Sequence, residues 1–270
     1  MTGSPLAALG AAAAGFALGP WLSWAIRSLP GHEALHPVYH DCARCAGGIR
    51  RRCANAGAAQ DAAVRLFSAL AAAGVVLALG LSLRALLGYV FLVTCLVVAV
   101  VDIRFLIIPD TISLGGVFLG LGFWTQVNVL VAWFGMPAPD PYVRLSDCLA
   151  GVALGSGFLW LLGWLALVLL KKPGMGGGDV KLLGAFGAWL GWRAVVATVV
   201  LASFAGSLGG IAGIVWRRVR HGQKYSPFTH TIPFGPYLCL GFLFVFLFGL
   251  APLYGLLDRY QDWLASTAQP

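Results

Sequence analysis

Residues 97–120 read VVAVVDIRFLIIPDTISLGGVFLG: one acid, Asp102, follows an unbroken apolar run, Arg104 stands two residues on, and Pro109–Asp110 open a second apolar run. An ionisable side chain in such a setting is costly inside a bilayer and marks a functional position by default. A proline cannot continue a helix that needs its amide, so the stretch reads as the end of one span and the start of the next. The rest of the chain agrees. Hydrophobic residues make up 59% of 270 and charged residues 10%, with mean hydropathy +0.84. A soluble surface, where roughly a quarter of residues are charged, is excluded.

Windows long enough to cross about 30 Å of hydrocarbon fall near residues 5–27, 62–83, 85–108, 111–134, 146–170, 193–216 and 233–257, with a shorter apolar piece at 180–191. The expectation is an all-α polytopic membrane protein of eight segments, one of them short, with both termini on the same side. Residues 1–30 are read as a retained first span, 31–61 as a cytoplasmic Cys/His/Arg loop, and 62–270 as the transmembrane bundle.

The net charge of +8 would suggest nucleic acid in a soluble protein. Here the lysines and arginines concentrate in alternate loops between apolar runs. Arg50, Arg51, Arg52, Lys171, Lys172, Lys181, Arg217, Arg218 and Arg220 share one side, while Arg84, Arg144, Arg193 and Arg259 fall on the other. The positive-inside rule puts the richer side in the cytoplasm and both termini outside it. Counting the 180–191 piece is what keeps Arg217–Arg220 inside. The reading includes contact with lipid headgroups and excludes a nucleic-acid partner.

All five histidines, His32, His36, His40, His221 and His230, lie in loops. No imidazole remains within a span to activate a serine, and no HExxH helix is present to bind catalytic zinc. Acids remain: Asp102, Asp110 and Asp179. Asp110 after Pro109 reads as a helix N-cap. Asp179 closes GMGGGD behind Gly176, Gly177 and Gly178, whose backbone freedom lets the loop lie against an extended segment. Lys181 either reaches for the interface or touches Asp179 or a substrate. Asp102 and Asp179, on different helices at one membrane level, can face one cavity. Two carboxylates held close do not both ionise readily, so one keeps a proton while the other polarises a water.

VDIRFLIIPD, GMGGGDVKLLGAFGAWLG and IPFGPYLCLG together resemble the type IV prepilin peptidase family, membrane aspartic proteases of the GxGD type. The resemblance covers about residues 85–245. It implies Asp102 and Asp179 as the catalytic pair, a recurrent Pro-Asp at Pro109–Asp110 and an IPFGP element at Ile232–Pro236. It also implies removal of a basic leader from type IV prepilins or pseudopilins at the cytoplasmic face of the bacterial inner membrane. Members of the bifunctional type also methylate the new N-terminus with S-adenosylmethionine.

The N-terminal part departs from that pattern. Pro20 follows Gly19, Ser23 stands where the family's first helix has Asn, and Cys42, Cys45 and Cys53 replace two CxxC pairs. With His40 these three thiols form a candidate structural zinc set. A metal-free remnant is the competing reading. Pairs of glycines four apart, such as Gly116/Gly120 and Gly151/Gly155, favour close helix packing within the chain over an oligomer. The alternative function is a proton-coupled transporter using the same carboxylates, and a third is a noncatalytic assembly factor.

Overall fold

The computed structural model describes residues 4–29, 53–171, 175–221, 233–255 and 259. The elements are α1 (Pro5–Ser28), α2 (Cys53–Leu79), α3 (Leu83–Phe105), α4 (Asp110–Phe134), α5 (Leu145–Leu170), α6 (Gly177–His221) and α7 (Gly235–Phe248). The described residues contain no strand. Six of these helices are long and apolar enough to cross a membrane. The seventh, α7, has 14 residues, about 21 Å at 1.5 Å per residue. Helix α2 starts inside the stretch expected as loop.

The 45 residues of α6 are not one rod. Gly191 has φ 78° and ψ 176°, a backbone region open essentially to glycine alone, and the chain reverses there. On one side of it, α5 packs in antiparallel register: Gly155 lies against Leu183 and Gly184, and Gly151 against Gly187 and Gly191. On the other side, Gly209 and Gly206 meet Tyr237, and Ala194 and Ala197 pack on Val245. The second arm therefore runs antiparallel to α7. The arms 177–190 and 192–221 correspond to the predicted short piece and the following span, and the eight apolar segments are present.

The short arm occupies the centre. Leu182, Leu183, Ala185, Phe186 and Ala188 are all buried, because α4 and α5 close on it through residues without side-chain bulk. Cβ atoms at Gly116 and Gly120 would stand 3.1 Å from Ala185 and Ala188, and Gly151 abuts Gly187 backbone to backbone. Lipid is as apolar as a leucine side chain, so helix association in a membrane rests on such close packing and not on expulsion of water. The glycine pairs thus serve intramolecular contacts at these positions.

Helix α3 runs antiparallel to α7. Gly88 packs on Phe246, and Arg84 donates to the carbonyls of Phe246 and Leu247 at 3.2 Å each, near the C-terminal end of α7. At the opposite end Asp102 meets Gly235. Between these ends Phe91, Phe242, Phe246, Phe186 and Trp189 interlock. Phe186 and Phe242 stack at 4.0 Å, and Phe91 stands edge-on to Trp189, Phe242 and Phe246 at 5.0 to 5.1 Å. This aromatic layer forms a floor about two to three turns below the acids.

One expected boundary fails. The window 233–257 was read as a single span, but α7 stops at Phe248, and Gly249 at φ 71°, ψ −163° breaks it. Residues 251–255 resume as a separate helical turn.

Candidate active site

Asp102 sits four residues from the C-terminus of α3 and is 6% exposed. Arg104, two residues on, makes no bond to it and donates instead to Gln60 Oε1 at 2.8 Å. The Asp102 carboxylate is held by the backbone of α7, whose Gly235 N–H donates to Oδ2 at 3.0 Å. That amide opens the first turn of α7, one of the donors a helix leaves unpaired, and the positive end of the helix dipole faces the carboxylate. A Cβ at Gly235 would stand 2.7 Å from the same oxygen, so only glycine lets the backbone come this close.

Asp179 is the third residue of α6 and is partly buried. Its Oδ2 lies beside Gly176, the residue before the helix begins. Its Oδ1 is buried and, among the described residues, has no hydrogen-bond partner. A buried acceptor left unpaired costs about 1–3 kcal/mol, so this oxygen is poised for a ligand atom.

Two observations bring the acids together. The carboxylates lie within electrostatic reach of each other. One side chain also touches the backbone beside both: Ile108 meets Gly178, next to Asp179, and Gly235, the partner of Asp102. Cys239, buried one turn into α7, shares the core with Cys95 of α3 and lies in the field of both acids.

Asp110 and Lys181 form the outer edge, and both depart from the sequence reading. Pro109 is the N-cap of α4 and makes no side-chain cap, which leaves Asp110 as the first helical residue. Its carboxylate takes Lys181 Nζ at 2.8 Å on both oxygens. Lys181 therefore ties the start of α6 to the start of α4. Of the glycine run, Gly178 is enclosed, while Gly176 and Gly177 are exposed.

Cys42, Cys45 and His40 lie outside the described residues, as does the side chain of Cys53. Among the described residues no three His, Cys, Asp or Glu side chains come together as a metal site. The residues missed from sequence are Ile108 and the amide of Gly235. The only local signals are the Ile-Pro pair at 108–109 and the Gly-Pro pair at 235–236, each of which fixes the backbone without naming its partner.

A carboxylate anchored by a helix amide and a second on another helix, within electrostatic reach of it and with a buried oxygen unpartnered among the described residues, are suited to activating a water between them. Residues 89–211 match the type IV leader peptidase family. Three curated relatives carry the name "Prepilin leader peptidase/N-methyltransferase". That of Aeromonas salmonicida is 35% identical over 167 residues, 62% of this chain and 48% of the relative. That of Pectobacterium carotovorum subsp. carotovorum is 32% identical over 199 residues, 73% and 63% respectively. That of Burkholderia pseudomallei is 33% identical over 211 residues, 78% and 61%. The chain thus spans about half to under two thirds of the length of these relatives. Nothing in these matches supports a transporter. No solved structure matches the chain.

Proposed function

We propose, from the match of residues 89–211 to the type IV leader peptidase family, that the chain is an intramembrane aspartyl endopeptidase. Its substrates are prepilins, as the relatives' names indicate, or the similar pseudopilins. The observation that supports the reading is that Asp102 and Asp179 come within electrostatic reach at one end of the bundle, with Asp179 Oδ1 unpartnered among the described residues. In the proposed reaction one carboxylate takes a proton from a water molecule, whose oxygen attacks the scissile carbonyl. The other gives its proton to that carbonyl oxygen. Collapse of the tetrahedral intermediate breaks the C–N bond and passes a proton to the leaving amine. A helical peptide bond is shielded by its own hydrogen bonds, so the substrate must be extended at the cut. The exposed backbone at Gly176 and Gly177 offers the surface for this.

The setting is a multi-pass protein of the bacterial inner membrane. We take the acid-bearing end, with Arg104 and Lys181, as cytoplasmic, on the charge distribution of the loops. In the proposed domain order residues 1–30 and 31–61 precede the bundle of 62–270. N-methylation with S-adenosylmethionine and zinc held by Cys42, Cys45, Cys53 and His40 are assigned to the segment around 31–61, separately from proteolysis.

The test is to incubate the purified protein with a prepilin bearing a basic leader, with and without S-adenosylmethionine, and weigh the products. Wild type releases the leader, whereas Asp102→Asn and Asp179→Asn insert normally and release none. Cleavage retained by either variant refutes the assignment. A mass increment of one methyl group, seen only with the donor, reports the second activity.

A further inference from the structure

We propose that Ile108 is a positioning residue: its side chain, wedged between Gly178 and Gly235, sets the separation of the two carboxylates. The inference rests on the peptidase reading for its catalytic consequence, but the wedge itself is geometric.

The chain arrives at this position by local necessity. Leu106 closes α3 in the left-handed region, φ 55° and ψ 34°, with its N–H returning to the carbonyl of Asp102 at 2.8 Å. A leucine adopts that conformation at a cost of about 1–2 kcal/mol, so packing downstream must hold it. Pro109 then bars its predecessor from the helical region and keeps Ile108 extended. The result is a turn of 106–109 that sends Ile108 back into the core, where it is 6% exposed.

The two ends of that side chain touch different partners. A Cβ at Gly178 would lie 2.9 Å from Ile108 Cβ and 3.3 Å from Cγ1. A Cβ at Gly235 would lie 3.2 Å from Ile108 Cδ1. Gly178 is bonded to Asp179, and Gly235 N–H holds Asp102 Oδ2 at 3.0 Å. The path from one acid to the other therefore runs Asp179, Gly178, Ile108, Gly235, Asp102, with Ile108 the only side chain in its middle. Both glycines leave no slack for it, because each presents bare backbone. The Asp110–Lys181 pair at 2.8 Å bolts the far side of the same turn to α6. That pair is well exposed, at 60% and 39%, and exposed pairs hold weakly. The buried wedge is the dominant element.

A branched aliphatic spacer suits the task. It is stiff at χ1, carries no group that competes for the water, and excludes solvent from behind the acids. Shortening it frees the α6 terminus to move against α7, and a displacement near 1 Å at reacting groups costs up to about 100-fold in rate.

The test uses two readouts on full-length protein in membranes. In the first, Asp102→Cys and Asp179→Cys are combined in a chain whose native cysteines are serine, and thiol cross-linkers of graded length are applied. With Ile108 present one narrow length links the pair; with Ile108→Ala the accepted length shifts or broadens. In the second, leader cleavage by Ile108→Ala in the native-acid protein shows kcat lower by about 10- to 100-fold, KM within about threefold, and a displaced pH profile. Ile108→Val, which removes only the methyl at Gly235, moves both readouts in the same sense by less and replaces Ile108→Ala should that variant not fold. If the wild type cleaves and either readout stays unmoved, the wedge is overturned. If the wild type cleaves no prepilin while the cross-linking length still shifts, the peptidase reading fails and the wedge stands.

Discussion

A Cβ at Gly178 would stand 2.9 Å from Ile108 Cβ, whereas one at Gly177 would meet nothing within 4 Å. Two adjacent glycines of the same loop therefore have different reasons to be glycine. Gly178→Ala should lower the melting temperature of the detergent-solubilised protein and cleavage together, because a neighbour must shift and the shift reaches Asp179. Gly177→Ala should leave the melting temperature within about 2 °C, under roughly 1 kcal/mol for a chain of this size. Any fall in cleavage by that variant then reports contact between the exposed loop and substrate. A melting temperature equally depressed by both would mean that the loop is packed at Gly177 as well. The same scale shows what single residues disclose in sequence. Asp102 was legible because an acid among apolar residues has few inexpensive explanations, and the nearby Arg104, which could have neutralised it, bonds to Gln60 instead. Asp110 was misread as a cap because Pro109 takes that place. No local pattern announces Lys181 as its partner, 71 positions on. Ile108 and Gly235 lie inside quoted motifs, yet their contacts were not legible for the same reason: the partners are distant along the chain, and an isoleucine before a proline looks like any other.

Among the elements, α6 carries the most information about how the site is built. Its short arm brings Asp179 to the level of Asp102, and its reversal at Gly191 turns the second arm along α7. Gly191 has φ 78° and ψ 176°, and a Cβ there would also meet Asp147 Cβ at 3.2 Å. Gly191→Ala should therefore destabilise by about 1–3 kcal/mol, read as a lower melting temperature and earlier loss of the folded band on heating. Equal stability of variant and wild type would mean that the reversal is not held at this residue. The reversal was partly legible, since hydropathy placed a boundary between 180–191 and 193–216. It did so through Arg193 and the length of the apolar run, not through any direct sign of a turn. The break at Gly249 was not legible. Glycine inside an apolar run is common in membrane helices, and neither hydropathy nor periodicity tells a packing glycine such as Gly151 from one with positive φ such as Gly249. Backbone geometry separates them only after the neighbours are in place.

At the scale of the whole molecule, the contacts between segments named above fit one alternation. Asp102, Ile108, Gly178 and Gly235 share one end, and Arg84, Asp147, Gly191 and Leu247 share the other. The exposed bulk hydrophobics, including Trp133, Trp160 and Phe204, cover the perimeter where lipid rather than water is the solvent. With the reversal at Gly191, eight segments alternate between the two ends. On the proposed orientation, the excess of Lys and Arg in loops on the acid-bearing side turns that side to the cytoplasm. Membrane potential and the anionic inner leaflet favour the same sense. This predicts the labelling pattern of two single-cysteine variants made in a chain otherwise free of cysteine. Ala138→Cys, in the 135–144 connection, should react with a membrane-impermeant maleimide added to intact spheroplasts. Ile107→Cys, in the turn beside the acids, should react only after the membrane is opened. The reverse pattern would move the acids to the outer face, where a leader that has not yet crossed the membrane could not reach them. The charge-based orientation and the proposed site of cleavage would then fall together, while the packing that joins Asp102 to Asp179 would be untouched.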